Sequence, residues 1–145
     1  MSLVRERADV SLELARQLVS LAARHATDLG IAVSIGVVDA GGNLVTADRM
    51  DGAPLLSVDI AVDKAWTAVS FGLPTDAWWS LIKDDPALAT GMPHRPRLVI
   101  FGGGVPLRHD GAVVGGIGVS GGSAAQDVAC ARAAVASIEG LETPA

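Results

Sequence analysis

Lys64 is the residue whose surroundings first invite chemistry. On a helix spanning residues 57–71 it shares a face with Ile60, Thr67 and Phe71, with Ala65 and Trp66 beside it. A lysine in such apolar company snorkels, or pairs with a carboxylate. Desolvation can also lower its pKa and make it an acid, a base or a Schiff-base nucleophile. Asp39 and Asp51 are the carboxylates expected to pair with it or tune it, and the structural ion pair is the plainer reading. Asp39 opens a Gly-Gly turn and can simply cap it. Arg49 closes a strand, where its guanidinium could hold an anion in a bidentate contact.

Gly116-Ile117-Gly118-Val119-Ser120-Gly121 matches GxGxxG. A dinucleotide fold needs βαβ units and an acidic residue on the next strand, and too little chain follows for either. The plainer reading is glycine used for close backbone packing. The N–H groups of Ser120, Gly121, Gly122 and Ser123 lie at a helix start, a natural place for a carboxylate or phosphate.

His25, His94 and His109 share no metal-site spacing. His25 falls on the apolar stripe of the first helix, His109 in an exposed turn, and His94 in a Met-Pro-His-Arg-Pro loop that could face a pocket. Cys130, the sole cysteine, reads as a buried inert thiol and excludes a disulfide framework. Trp66 suits a core. Adjacent Trp78 and Trp79 cannot both face one core, so one is expected to meet a partner subunit or a flat ligand.

The elements that must hold these residues follow from capping and periodicity. Ser11 can cap a helix whose Leu14, Leu18, Leu21, His25 and Leu29 recur on one face, with Gly30 as the stop. Residues 31–39 and 43–49 read as a hairpin across Ala40-Gly41-Gly42. A helix capped by Ser57 runs to Phe71, and Thr75 can cap a short one over 76–83. Residues 84–96 hold three prolines and a glycine and read as an ordered loop. Strands are expected over 97–101, 105–108 and 112–119. Ser123 with Gln126 opens a last, alanine-rich helix to about Glu139, with a frayed tail after Gly140. The order α-β-β-α-α-β-β-β-α, with short glycine turns between strands, predicts an α+β fold around a five-stranded antiparallel sheet with flanking helices.

The chain has 145 residues, which favours one domain over 1–145. Half of them are of hydrophobic type, 17 are glycine and only 19% are charged, so buried subunit contacts or a greasy pocket are expected. The net charge of −5 argues against a nucleic-acid grip and against a polybasic membrane anchor. No stretch resembles a signal peptide or a bilayer span, so a cytoplasmic protein is expected.

Five blocks together are familiar. They are Val38-Asp39-Ala40-Gly41-Gly42 with Arg49-Met50-Asp51-Gly52-Ala53; Lys64-Ala65-Trp66-Thr67-Ala68; Phe101-Gly102-Gly103-Gly104-Val105-Pro106; and Gly115 to Gly122 with Gln126-Asp127. In this order, over roughly residues 12–136, the chain resembles the GlcG/HbpS family. It also resembles the C-terminal module of PduO-type cobalamin adenosyltransferases, without the adenosyltransferase domain. The resemblance implies a profilin-like fold and a homo-oligomer built from dimers into tetramers or octamers. It also implies haem binding or haem-linked redox function. The family motif positions carried here are Asp39, Arg49, Asp51, Lys64, Gly103, Gly104, Pro106, Ser120 and Asp127; paired Trp78 and Trp79 depart from the pattern.

Two functions follow as expectations. In the first, a haem or other tetrapyrrole lies against apolar side chains and Trp78 or Trp79, with His25 or His94 as iron ligand. Met50 and Met92 lie in the same regions. Arg49 or the glycine-rich helix start, with Gly103, Gly104, Ser120, Gly121 and Gly122, takes the propionates. In the second, a cofactor-free catabolic isomerase, hydratase or lyase uses Lys64 as acid/base. There Asp39 or Asp51 tunes it, and Arg49 with the Ser120-Gly121-Gly122 amides holds an anion.

Overall fold

A computed structural model describes residues 1–143; the last two residues of the expected tail lie outside the described part. The elements are α1 (Leu12–Asp28), β1 (Ser34–Asp39), β2 (Leu44–Arg49), α2 (Ser57–Phe71), α3 (Trp78–Ile82), α4 (Pro86–Gly91), β3 (Gly104–His109), β4 (Ala112–Ser120) and α5 (Ala124–Ala136). Single 3₁₀ turns at Thr75–Ala77 and Met92–His94 join the short helices. The fold is α+β, and its antiparallel sheet has four strands in the order β2-β1-β4-β3, one fewer than expected. No helix among the described residues is long and apolar enough to cross a membrane.

The missing strand is residues 97–101. Arg97 sits at φ +67°, a conformation that a strand residue does not adopt. The backbone there is answered by a side chain instead: the Thr67 hydroxyl donates to the Arg97 carbonyl and accepts from the Val99 N–H, both at 3.0 Å. Only at Gly103 does the chain meet the sheet, where its carbonyl accepts from Val119 N–H at 2.9 Å. The expected loop 84–96 contains a helix. Asp85 caps it by accepting from Ala87 and Leu88 N–H, and Pro86 takes the first helical position, where it needs no donor.

Helices cover both sides of the sheet. α1 and α5 pack on one side and on each other, and α2 lies across the other against β4, β1 and β3. The buried face of α1 is Ala15, Leu18, Val19, Ala22 and Ala26, rotated from the leucine stripe that periodicity suggests. Leu14, Leu21 and His25 are half-buried and Leu29 is exposed. The cause is the partner: α5 presents Ala131 and Ala134, and small residues on both helices allow close approach. Ser57 is not a cap either. Its hydroxyl hydrogen-bonds Ser34 Oγ at 2.8 Å and the Pro54 carbonyl, and α2 starts without a side-chain cap. The tail after Gly140 is tied down as far as Glu142, whose N–H donates to the Arg108 carbonyl and whose carboxylate accepts from Gly111 N–H.

Candidate functional site

Strand β4 alternates in the way that places the site. Ile117 and Val119 point into the α1/α5 core, while Gly116, Gly118 and Ser120 face α2. A methyl group on Gly118 would collide with the Ala61 carbonyl, so α2 rests on β4 almost backbone to backbone. That contact carries Lys64 down between helix and sheet until only 1% of it is exposed. Its Nζ donates to the Val119 carbonyl at 2.9 Å and to Asp127 Oδ2 at 3.0 Å. Phe101 lies over it, ring centroid 5.1 Å from Nζ. Gly103 and Gly104 let the entry to β3 pass close beside Lys64; a Cβ on Gly103 would stand 2.6 Å from Nζ.

Asp127, on the first turn of α5, is 3% exposed and fully engaged. Its Oδ2 takes Lys64 and its Oδ1 accepts from Gly122 N–H at 2.9 Å. Lys64 therefore has a carboxylate partner, but it is Asp127 and not Asp39 or Asp51. Asp39 accepts from Gly41 and Asn43 N–H at 2.9 Å within the β1–β2 turn. Asp51 is exposed in the turn that follows β2. Burial pushes the Lys64 pKa below its ordinary value, against the opposing pull of Asp127.

A cavity of about 330 Å³ opens beside this pair, lined by Pro54, Leu56, Ile60 and Phe101 on its apolar side and by Lys64, Ser120 and Gly122 among others on its polar side. Of the residues singled out in the sequence, Lys64, Ser120, Gly121 and Gly122 meet here, with Gly103 and Gly104 packed behind the lysine. Phe101 and the motif position Asp127 line it too, whereas Asp39, Arg49, Asp51, the tryptophans and the histidines do not. Arg49 is exposed near the end of the edge strand β2. Trp78 is buried edge-on against Phe71, centroids 4.8 Å apart, and Trp79 is 53% exposed, so the pair does divide between core and surface. Trp66 is only half-buried, with Arg97 stacked 4.6 Å from its ring. His94 is exposed on the 3₁₀ turn after α4.

The expected anion seat at the start of α5 is occupied by the protein itself. Gly122 N–H serves Asp127, and Ser123 N–H serves Gln126 Oε1 in a reciprocal capping box. An internal carboxylate thus stands where an external one was expected. Asp127 as the partner of Lys64 is the functional residue that spacing alone misses. The resemblance marks Asp127 as a motif position alongside Lys64, and its place in the first turn of a helix that abuts the end of β4 is the signal that could have joined the two.

Fold and site define a small antiparallel-sheet α+β domain in which a helix lies on a glycine face and a buried lysine–carboxylate pair floors a cavity. The chain belongs to the HbpS-like family, whose model, described as haem degrading protein HbpS-like, matches residues 10–136. It is similar to the corrinoid adenosyltransferase PduO of Citrobacter freundii, 38% identical over 130 residues, which are 89% of this chain and 39% of that protein. The chain thus spans about two-fifths of the length of that relative. Protein ORFY of Klebsiella pneumoniae has a crystal structure that matches with a TM-score of 0.88 at 34% identity, covering 96% of this chain and 99% of that one. A PduOC:heme complex matches with a TM-score of 0.86 at 34% identity, covering 95% and 100%.

Proposed function

We propose that this protein binds haem or a closely related tetrapyrrole, with a haem-linked redox role. The observation that carries this reading is the likeness, along 95% of the chain, to a domain whose structure is a haem complex. Donor chemistry narrows where the group would sit. Of the residues that line the Lys64 cavity, none is His, Met, Cys or Tyr, the usual iron ligands, so that cavity does not suit an axial bond from this subunit. The surface built by α3, α4 and the 3₁₀ turn after it suits the group better. His94 is exposed there, and Trp79, Leu81 and Leu88 expose 53%, 58% and 42% of their surface. These three short elements pack in sequence, α3 on α4 and α4 on the turn. His94 would hold the iron, the apolar side chains would cover a porphyrin face, and Arg95 would meet a propionate. His25, half-buried on α1, is the other imidazole to test. Bound haem would supply a redox-active iron. The exposed apolar residues of this surface, with Phe71 and Phe101 elsewhere, also support a homo-oligomer built from dimers into a tetramer or octamer.

The test is a haem titration of the wild type, His94→Ala and His25→Ala, read at the Soret band, with mass determined in solution in parallel. Saturation near one haem per chain, lost in His94→Ala and kept in His25→Ala, is expected. Loss in His25→Ala alone moves the ligand to α1. Unsaturable spectra in all three proteins overturn the haem reading.

A further inference from the structure

The cavity beside Lys64 retains two hydrogen-bond donors that the fold does not use. An ammonium carries three N–H donors. Two of those on Lys64 are taken by the Val119 carbonyl and Asp127, and the third has no oxygen or nitrogen acceptor among the described residues, only the Phe101 ring 5.1 Å from Nζ. The second is the hydroxyl of Ser120. That residue is 6% exposed, lines the cavity, and finds no hydrogen-bond partner for its side chain among the described residues. Its neighbour across the sheet, Ser34, faces the same way but is satisfied by Ser57. The hydroxyl opens onto the cavity and is not sealed in the core, so an entering ligand can take the place of water there.

We propose that this cavity is a binding site for a small uncharged carbonyl compound. Its oxygen accepts from Lys64 Nζ and Ser120 Oγ, and its alkyl part packs on Leu56, Ile60 and Phe101. Charge selects the class. The Lys64 cation is already matched by Asp127 at 3.0 Å, so an entering carboxylate would bring an unmatched negative charge beside a second one. A neutral acceptor takes the same two donors without that penalty. An alcohol of the same size offers the oxygen at a bent, less polar acceptor and fits less well. The site is separate from the haem surface and stands or falls independently of it, because no imidazole lines it.

The experiment uses the full chain without haem, labelled with ¹⁵N, and titrates 2-butanone, 2-butanol and propionate by NMR. Saturable shifts centred on Ser120, Gly121 and Gly122 are expected with 2-butanone, at a millimolar Kd. Butanol and propionate are expected to bind more weakly. Ser120→Ala removes one donor without touching the ion pair and is expected to weaken 2-butanone roughly tenfold. Ile60→Trp fills the apolar wall and is expected to abolish the shifts, while the remaining amide spectrum reports that the fold is intact. The proposal is overturned by the absence of saturable shifts at these amides. It is equally overturned by propionate binding more tightly than 2-butanone, or by a Ser120→Ala protein that binds as well as the wild type.

Discussion

The two sides of the sheet are built on opposite principles. Toward α1 and α5 the strands present Ile35, Val37, Val105, Leu107, Ile117 and Val119, all buried and all large. Toward α2 the same strands present Ser34, Gly36, Gly104, Gly116, Gly118 and Ser120. The first side fills its space with side chains and holds no charge. The second empties it, so that a helix backbone approaches the sheet, and the room left at one end takes a lysine, its carboxylate and a cavity. Apolar burial on the first side supplies most of the driving force for folding. That surplus lets the second side hold a desolvated ion pair, which is seldom a source of net stability.

The largest effect should come from breaking that pair asymmetrically. Asp127→Leu leaves the Lys64 ammonium buried without its counter-charge and should cost about 3–5 kcal/mol in urea unfolding. Lys64→Met should cost a similar amount by stranding Asp127. The double variant removes both charges and should recover most of the loss. A double variant as unstable as the two single changes added together would mean that the pair is not a closed unit, and the contrast between the faces would fail.

Neighbouring positions on β4 sharpen the contrast further. Gly118→Ala adds one methyl group toward α2, where the Ala61 carbonyl already stands, and neither backbone can turn aside. It should cost about 3 kcal/mol, the upper part of the range for overpacking. Ile117→Val removes one methylene group toward the other core and should cost about 1 kcal/mol. Thermal unfolding of the two variants reads the difference directly. Equal losses would show that the glycine face has as much slack as the apolar one.

These contrasts were unevenly legible in the sequence. The α+β class, the β1–β2 and β3–β4 hairpins, and the span of α2 could be read from turn glycines and apolar runs, because those signals are local. The glycines of the GxGxxG run could be assigned to close packing, since no βαβ unit surrounds them. The fifth strand is expected because the run Leu98-Val99-Ile100 is β-prone, yet it does not join the sheet. Only the fold shows that Thr67 takes up its backbone hydrogen bonds. The helix at Pro86 has a legible start in Asp85-Pro86, but three prolines and a glycine over residues 84–96 suit a loop equally well. The partner of Lys64 was not legible from spacing at all: 63 residues separate it from Asp127, and only the pairing of β1 with β4 and the packing of α2 bring them together. The acids expected instead, Asp39 and Asp51, lie elsewhere: the first serves its own turn and the second is exposed.

The smallest effect concerns the thiol behind the pair. Cys130 lies on the side of α1 and α5, fully buried, where burial and the nearby Asp127 charge push its pKa up to about 11 from 9.0. Its folded pKa is raised, so the folded state keeps the proton after the unfolded state has lost it. The resulting stabilisation is full below pH 9.0 and is lost as pH rises through about 11. Relative to Cys130→Ala, which lacks the proton, the wild type should therefore lose about 1 kcal/mol more stability between neutral pH and about pH 10. Urea unfolding of both proteins across that range isolates the thiol, since every other titrating group is common to both. A gap between the two proteins that stays constant with pH would mean that the thiolate is tolerated in the fold. The side of α1 and α5 would then take a charge as the side of Lys64 does, and the contrast between them would fail.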